Sequence, residues 1–159
     1  MKTLINFDKN LLREYSLWEK ANENNWEITS YLNQFYDINA ALAFTKLYFP
    51  DFIEERGCII LGFRYDEKTF NQWYEEFKGE IAPTETYCNL YDVADYFHIN
   101  VAGYESEESY LEALEAFGNA LKTSWELNCK VLFPEREMEV ELVGDYGAKR
   151  ITLHTERFL

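Results

Sequence analysis

The chain has 159 residues, of which 47% are hydrophobic and 18% aromatic, a composition that excludes a disordered protein and predicts a core rich in bulky rings. Its formal net charge of −14 disfavours nucleic acid and anionic membranes as partners, and it favours a basic protein. The alternative is that the acidic surface only keeps an aromatic-rich protein soluble.

The first part of the chain predicts one short strand followed by helices. Residues 3–7 are apolar enough for an edge strand. Residues 11–18 then carry large apolar side chains at helical spacing and lead into a polar loop. A second helical pattern runs over residues 26–48, and Asp37 within it is placed to cap a restart of the helix.

The middle of the chain predicts a buried strand between helices. Pro50 ends the second helical pattern, because proline disfavours helical geometry in the residue before it. Residues 58–63 form the most continuous apolar run, as expected of a strand that is covered on both faces. Asp66 then caps a short helix that stops at Gly79, and a further helical pattern extends over residues 83–97.

The last third predicts a long helix followed by a β-hairpin. Ser106 is the expected N-cap, and Pro134 ends the helix. Apolar and polar residues alternate over residues 138–142 and over residues 151–155, a pattern typical of strands with one buried face. No linker divides the chain, so we predict a single α+β domain over residues 1–159, with several helices packed on a small, mainly antiparallel sheet that includes the C-terminal hairpin.

Sequence signatures of the common catalytic and cofactor sites are missing: there is no GxGxxG, P-loop, GxSxG or HExxH motif. His98 and His154 are the two histidines, and an isolated histidine is more often a hydrogen-bonded residue than a base or ligand. A metal site built from His98, Glu85 and Asp95 is disfavoured, because carboxylates at such spacing are common in any acidic helical protein. We therefore predict no catalytic residue, no cofactor and no metal ligand.

The cysteines are odd in number and lie far apart in apolar surroundings, at Cys58, Cys88 and Cys129. This arrangement matches neither a disulfide framework nor a CxxC metal pair, so we predict buried, unreactive thiols in a reducing cytoplasm. The N-terminus shows no secretion signal, and no run approaches the roughly 18 apolar residues of a membrane span. Both observations favour a soluble cytoplasmic protein.

Two runs in the first half of the chain carry a family resemblance. Residues 43–54 read AFTKLYFPDFIE and residues 57–61 read GCIIL, which combine a helix, a Phe-Pro corner and a Gly-Cys strand. In this they resemble a group of small bacterial cytoplasmic proteins of uncharacterised function, and residues 125–134 and 151–153 fit the same group. The resemblance touches most of the chain. Its motifs are structural corners, so it implies no reaction.

The same resemblance extends to Glu85 and Asn89. Members of that group tend to carry a histidine after the asparagine, where this chain has Leu90 and Tyr91, and this departure weakens the case for a catalytic cluster here. In general character, a small acidic one-domain protein is also similar to the immunity proteins of bacterial toxin systems. Those proteins sequester a toxin and catalyse no reaction, so this second likeness implies a basic toxin as the partner.

The leading hypothesis is a non-enzymatic binding protein whose acidic surface occludes a basic partner. Carboxylates steer such a partner, and aromatic side chains supply contact area. The residues that combine these properties lie on two predicted helices: Trp73, Glu75, Glu76, Glu107, Glu108 and Glu112. The alternative is that Trp73 lies in the core, and its helical spacing favours that position.

The alternative hypothesis is a small enzyme or ligand-binding domain with an aromatic pocket. Its lining would combine Glu85, Asn89, Tyr91 and His98 with Tyr87 and the aromatic face of the long helix. A closed pocket that joins the carboxylate, the amide and the imidazole would support this alternative, whereas a contiguous acidic surface with aromatic side chains would support the binding protein. A third role, a homodimer that pairs through the hairpin edge, is also open.

Overall fold

The fold combines helices with two small sheets, as the predicted α+β class requires. The computed structural model describes residues 2–24, 27–99, 103–144 and 148–159. The helices are α1 (Tyr15–Ala21), α2 (Ile28–Phe35), α3 (Ile38–Tyr48), α4 (Glu67–Glu76), α5 (Ile81–Asn89) and α6 (Glu107–Leu132). The strands are β1 (Phe52–Glu55), β2 (Cys58–Leu61), β3 (Tyr91–Asp92), β4 (Arg136–Val143) and β5 (Arg150–Phe158). Short 3₁₀ turns occupy Lys9–Leu11 and Val93–Tyr96.

All strand pairs in these described ranges are antiparallel. β1 and β2 form one hairpin, while β5 lies between β3 and β4 in the second sheet. Arg56 and Gly57 connect β1 to β2 with φ angles of 51° and 81°, the left-handed conformation that a two-residue hairpin turn requires. The predicted C-terminal hairpin is confirmed, and Val140 lies opposite Leu153 on its buried face.

β2 separates two clusters of buried side chains. Its residues alternate between them, so both faces of the strand are covered, as the continuous apolar run predicts. The larger cluster contains Ile59, Leu61, Val93, Leu114, Leu121, Trp125, Val140, Ile151 and Leu153. The smaller cluster contains Cys58, Ile60, Phe70 and Cys88. The first is covered by α6, and the second by α4 and α5.

Three predicted helix caps are present. Asp37 accepts hydrogen bonds from the backbone of Asn39 and Ala40 at the start of α3, which confirms the restart within the long helical pattern. Asp66 caps α4 through the Thr69 N–H, and the hydrogen bond from the Thr69 hydroxyl, together with this N–H, holds the pKa of Asp66 below its ordinary value. At the start of α6, Ser106 exchanges hydrogen bonds with Ser109 in a capping box.

The N-terminal prediction is wrong in part. Residues 3–7 form no strand, and Leu4 and Ile5 lie instead beside the C-terminal ends of α3 and α6. A short apolar run is typical both of a strand and of a segment that covers an apolar groove, so composition alone does not separate them. The first α-helix begins at Tyr15, later than the helical spacing predicts. Trp26, placed in the second helical pattern, lies outside the described residues.

The helix predicted over residues 83–97 is also corrected. α5 ends at Asn89, and the next residues form β3, in which Tyr91 pairs with Ile151 of β5. The helical spacing of the large side chains persists after Asn89, but pairing with a distant strand overrides it. The apolar residues of this segment still reach the core, since Val93 is fully buried.

α6 connects the larger cluster to the end of α3. The indole N–H of Trp125 donates to the Leu47 carbonyl at 2.7 Å, and the Asn128 amide donates to the Tyr48 carbonyl at 2.8 Å. The last carbonyl groups of a helix have no partner within it, so these side chains satisfy the C-terminal end of α3.

Within the described ranges, no helix has both the length and the apolar character needed to cross a bilayer.

Candidate functional site

Glu85 on α5 is fully buried, and its carboxylate connects two strands of different sheets. Oε1 accepts the Ile59 N–H of β2 at 2.6 Å and the Thr155 hydroxyl of β5 at 3.1 Å. Oε2 accepts the Thr155 N–H. Nη1 of the buried Arg136 lies 3.9 Å from Oε1. Backbone and hydroxyl donors therefore surround the carboxylate on both oxygens.

Asn89 performs the same task one turn further along α5. Its Oδ1 accepts the Leu61 N–H at 2.8 Å, and its Nδ2 donates to the carbonyls of Ile59 at 2.9 Å and Leu153 at 3.1 Å. β2 and β5 belong to different sheets, and the side chains of Glu85 and Asn89 bond to the backbone of both strands. We name Glu85 and Asn89 together the α5 bridge.

The α5 bridge corrects the predicted pocket of Glu85, Asn89, Tyr91 and His98. The first two side chains are fully buried and bonded to main chain, so they offer no group to a ligand. Tyr91 lies in β3, and the exposed His98 has its Nδ1 3.0 Å from the Asp95 carbonyl. The structure therefore brings the carboxylate and the amide together but leaves the imidazole at the surface. The same holds for the disfavoured metal set of His98, Glu85 and Asp95. Glu85 is buried, whereas His98 and Asp95 are exposed.

The buried carboxylate of Glu85 should leave a signature in the pH dependence of stability. Burial raises the pKa of Glu85, although hydrogen bonds from Ile59 and Thr155 oppose this shift. Between the ordinary glutamate pKa and the raised value, the folded state binds more protons than the unfolded state, so the free energy of unfolding falls as pH rises. Urea denaturation of the wild type and of Glu85→Gln across this pH range isolates the effect as their difference. A difference that is constant with pH contradicts it.

The thiols are buried, as predicted. Burial raises the pKa of Cys58 and of Cys129 to about 12, and that of Cys88 to about 11. All three are free cysteines. A thiol is nucleophilic only as the thiolate, so these groups do not supply a nucleophile at neutral pH.

The residues predicted to bind a partner fall into two separate groups. Glu107, Glu108 and Glu112 are exposed on the first turns of α6, which packs over the larger core cluster. Trp73 is half-buried on α4, against the smaller cluster, and Glu75 and Glu76 are exposed beside it. The two groups belong to helices that cover different clusters, so each has to be considered as a surface of its own.

On α4, Trp73 forms part of a ring cluster that is open to solvent. Its ring stacks on Phe77 at 5.7 Å between centroids and lies 4.7 Å from the ring of Tyr87 on α5. The rings of Phe77 and Tyr87 are 5.1 Å apart, and 47% of Tyr87 is exposed. Glu76 flanks this stripe, since it is three positions after Trp73, whereas Glu75 lies about half a turn away. We name Trp73, Glu76, Phe77 and Tyr87 the α4–α5 face.

A second open surface is an apolar groove of about 540 Å³ between the N-terminal segment and the C-terminal ends of α3 and α6. Its lining includes Phe49, Leu127 and Val131, all of which are exposed, and 77% of Val131 is accessible to solvent. The sequence does not predict this groove, because the apolar pattern of residues 3–7 is also typical of an edge strand. Isolated exposed apolar residues are ordinary, but a contiguous set marks a candidate contact surface.

Known proteins provide no further guide to these surfaces. Comparison with protein-family models, with curated proteins and with solved structures gives no match to the chain. The resemblance to small bacterial cytoplasmic proteins and to immunity proteins thus stays a prediction. The function has to be inferred from the geometry of the described residues.

Proposed function

We propose that the protein is a non-enzymatic binding protein that holds a basic protein partner, in the manner of an immunity-type inhibitor. The observation that carries the proposal is the α4–α5 face, where three mutually packed rings reach solvent beside an exposed carboxylate. The net charge of −14 supplies the long-range attraction for a basic partner.

Each part of the α4–α5 face has a role in such a complex. Tyr87 and Trp73 present large, rigid rings that bury much apolar area at a low entropic cost, which is why such residues dominate binding energies. The rings are already packed against one another, so little ordering is needed on association. Glu76 at the edge of the stripe favours lysine and arginine on the partner and disfavours acidic surfaces.

The alternative of a small enzyme receives less support from the geometry. The polar side chains predicted for its pocket are the α5 bridge, and their hydrogen-bonding capacity is used by the backbone of β2 and β5. A catalytic carboxylate has to reach a substrate, and Glu85 is fully buried. The α5 bridge is better explained as a structural device than as a catalytic one.

The proposal is tested by affinity capture with the full chain as bait, at low and at high salt. We expect a basic protein to bind at low salt and to be released as screening increases. Because an acidic bait retains basic proteins non-specifically, an unrelated purified basic protein serves as the control for charge alone. A partner identified in this way is then titrated with variants.

Variants of the α4–α5 face distinguish a specific complex from general attraction. We expect Tyr87→Ala to weaken the binding of the captured partner by at least about tenfold, as removal of a binding hot spot does. Glu76→Lys should weaken it more than Glu75→Lys, although both change the net charge equally on neighbouring exposed positions. Titration calorimetry of each variant measures the dissociation constant.

Three outcomes contradict the assignment of the surface. Equal losses of affinity in Glu76→Lys and Glu75→Lys would mean that binding depends only on the total charge. A selective loss in Glu107→Lys and Glu108→Lys would move the interface to the start of α6. A selective loss in Val131→Glu would move it to the apolar groove.

A further inference from the structure

Three side chains with metal-binding atoms converge on the outer face of the β4–β5 hairpin. They are Glu139 of β4 and His154 and Glu156 of β5, and their ligand atoms all lie within 4.8 Å of one another. The opposite face of the hairpin carries Val140 and Leu153 in the core, so this cluster stands on a strand pair that packing holds in place. It lies outside the α4–α5 face and does not depend on the function proposed above.

The register of the hairpin explains the convergence. Glu139 is the direct cross-strand neighbour of His154. Between the pairs Glu137–Arg157 and Met138–Thr155 the register shifts by one residue, which leaves Glu156 as the extra residue of a β-bulge. A bulge bends the strand and changes the direction of a side chain, and such bulges are frequent beside functional sites. His154 and Glu156 are two positions apart on β5 and so share a face of the strand, and the bulge leaves Glu156 without a cross-strand partner.

The distances suit a metal ion shared by these groups. Nε2 of His154 lies 3.8 Å from Oε2 of Glu139 and 3.7 Å from Oε2 of Glu156. Ligand atoms about 2.0–2.2 Å from a tetrahedral Zn²⁺ lie roughly 3.3–3.6 Å from one another. From Nε2 to each carboxylate oxygen, an approach of a few tenths of an ångström reaches this range. The two carboxylate oxygens lie within 4.8 Å of each other and would close on the ion by side-chain rotation, with a fourth position open to water.

The other ring nitrogen of His154 supplies an independent observation. Only 14% of this side chain is exposed, and Nδ1 is buried without a hydrogen-bond partner. The nearest carboxylate oxygen described for it is Oε2 of Glu141, at 4.0 Å. A metal-bound histidine characteristically donates its second N–H to a carboxylate, which fixes the ring and increases its basicity. Glu141 is placed to become that acceptor once the metal orients the ring.

The charges around the imidazole favour a cation. Glu139, Glu141 and Glu156 all lie within 4.0 Å of its nitrogens. The neighbouring Arg157 pairs with Glu137, so its charge is directed to another carboxylate. A proton on His154 would offset one negative charge, whereas a divalent ion would offset two and would use all three ligand groups.

We propose that the outer face of the β4–β5 hairpin binds a divalent transition-metal cation of the Zn²⁺ type. Nε2 of His154 and the carboxylates of Glu139 and Glu156 are the ligands, and Glu141 is a positioning residue. The imidazole selects such ions over Mg²⁺ and Ca²⁺, which prefer oxygen ligands alone.

The test is titration of the untagged, full chain with Zn²⁺ by calorimetry and with Co²⁺ by visible absorption. We expect one equivalent to bind, with Co²⁺ bands of a nitrogen and oxygen ligand set and no thiolate charge-transfer band. Excess Mg²⁺ should not displace the ion, and acidification should, because a proton competes for the imidazole. Zn²⁺ should also raise the thermal midpoint.

Variants assign the site. His154→Gln should abolish binding, and His98→Gln, which removes the other histidine, should leave it unchanged. Glu141→Gln should weaken binding by about 10- to 100-fold, as loss of a supporting carboxylate does. If His154→Gln does not fold, Glu139→Gln and Glu156→Gln test the site instead. Each removes one carboxylate ligand at an exposed position, and each should weaken metal binding. Absence of saturable binding overturns the proposal, and so does binding that survives His154→Gln or the two glutamate changes.

Discussion

Replacement of Glu85 by alanine is expected to lower the free energy of unfolding by about 3–5 kcal/mol. The change removes the acceptor for the backbone N–H groups of Ile59 and Thr155, which stay buried between β2 and β5. It also removes one of the three carboxylates near the buried Arg136, which keeps the two others at 2.9 and 3.5 Å. Urea denaturation followed by circular dichroism measures the loss.

Glu80→Ala is the matched control for this prediction. Glu80 is exposed at the N-terminal end of α5, and its side chain makes no capping hydrogen bond, so its replacement should change stability by no more than about 0.5 kcal/mol. If Glu85→Ala costs as little as Glu80→Ala, the α5 bridge does not stabilise the fold. Asn89→Ala would then also be expected to have little effect.

Trp125→Ala is expected to cost about 3–5 kcal/mol, the range for deletion of a fully buried large aromatic side chain. Trp125 lies at the centre of the larger core cluster, and its indole N–H bonds the Leu47 carbonyl at the end of α3. The change would leave a cavity and an unpaired carbonyl. The same denaturation measurement applies, and a loss below about 1 kcal/mol would show that the neighbouring helices collapse into the space.

Trp125→Phe separates the two contributions. Phenylalanine keeps most of the apolar contact, including that with Phe63, but it cannot donate to the Leu47 carbonyl. We expect this variant to cost about 1–3 kcal/mol, the penalty for an unsatisfied polar group. A cost equal to that of Trp125→Ala would mean that the hydrogen bond, rather than the packing, dominates.

The sequence predicts the elements that are determined locally. Asp37, Asp66 and Ser106 identify helix starts because a cap bonds to backbone within three residues. The alternation of apolar and polar residues predicts the strands of the C-terminal hairpin for the same reason, since it depends only on neighbours along one strand. The errors occur where distant partners decide: the segment that contains Tyr91 joins β5, and the segment that contains Leu4 lies beside the C-terminal ends of α3 and α6.

The candidate sites are less predictable for a related reason. The mixture of aromatic and acidic side chains on one helix predicts Trp73 and Glu76 as contact residues. The contact of Trp73 with Tyr87, however, depends on how α4 packs on α5. Alternation places Glu139 on one face of its strand and His154 on one face of the next. Their pairing depends on the register, which alternation alone does not determine. Glu156 is two positions after His154, so alternation does place these two side chains on one face.

The α5 bridge also has a consequence for the order of folding. The two hairpins, β1–β2 and β4–β5, are each formed by contacts close in sequence, and such contacts form fast. Glu85 lies 26 residues from Ile59 and 70 from Thr155, so insertion of α5 has to close much longer loops. We expect the hairpins to form first and α5 to join them last. The α5 bridge would then complete a connection between the hairpins that the apolar residues of the larger cluster begin.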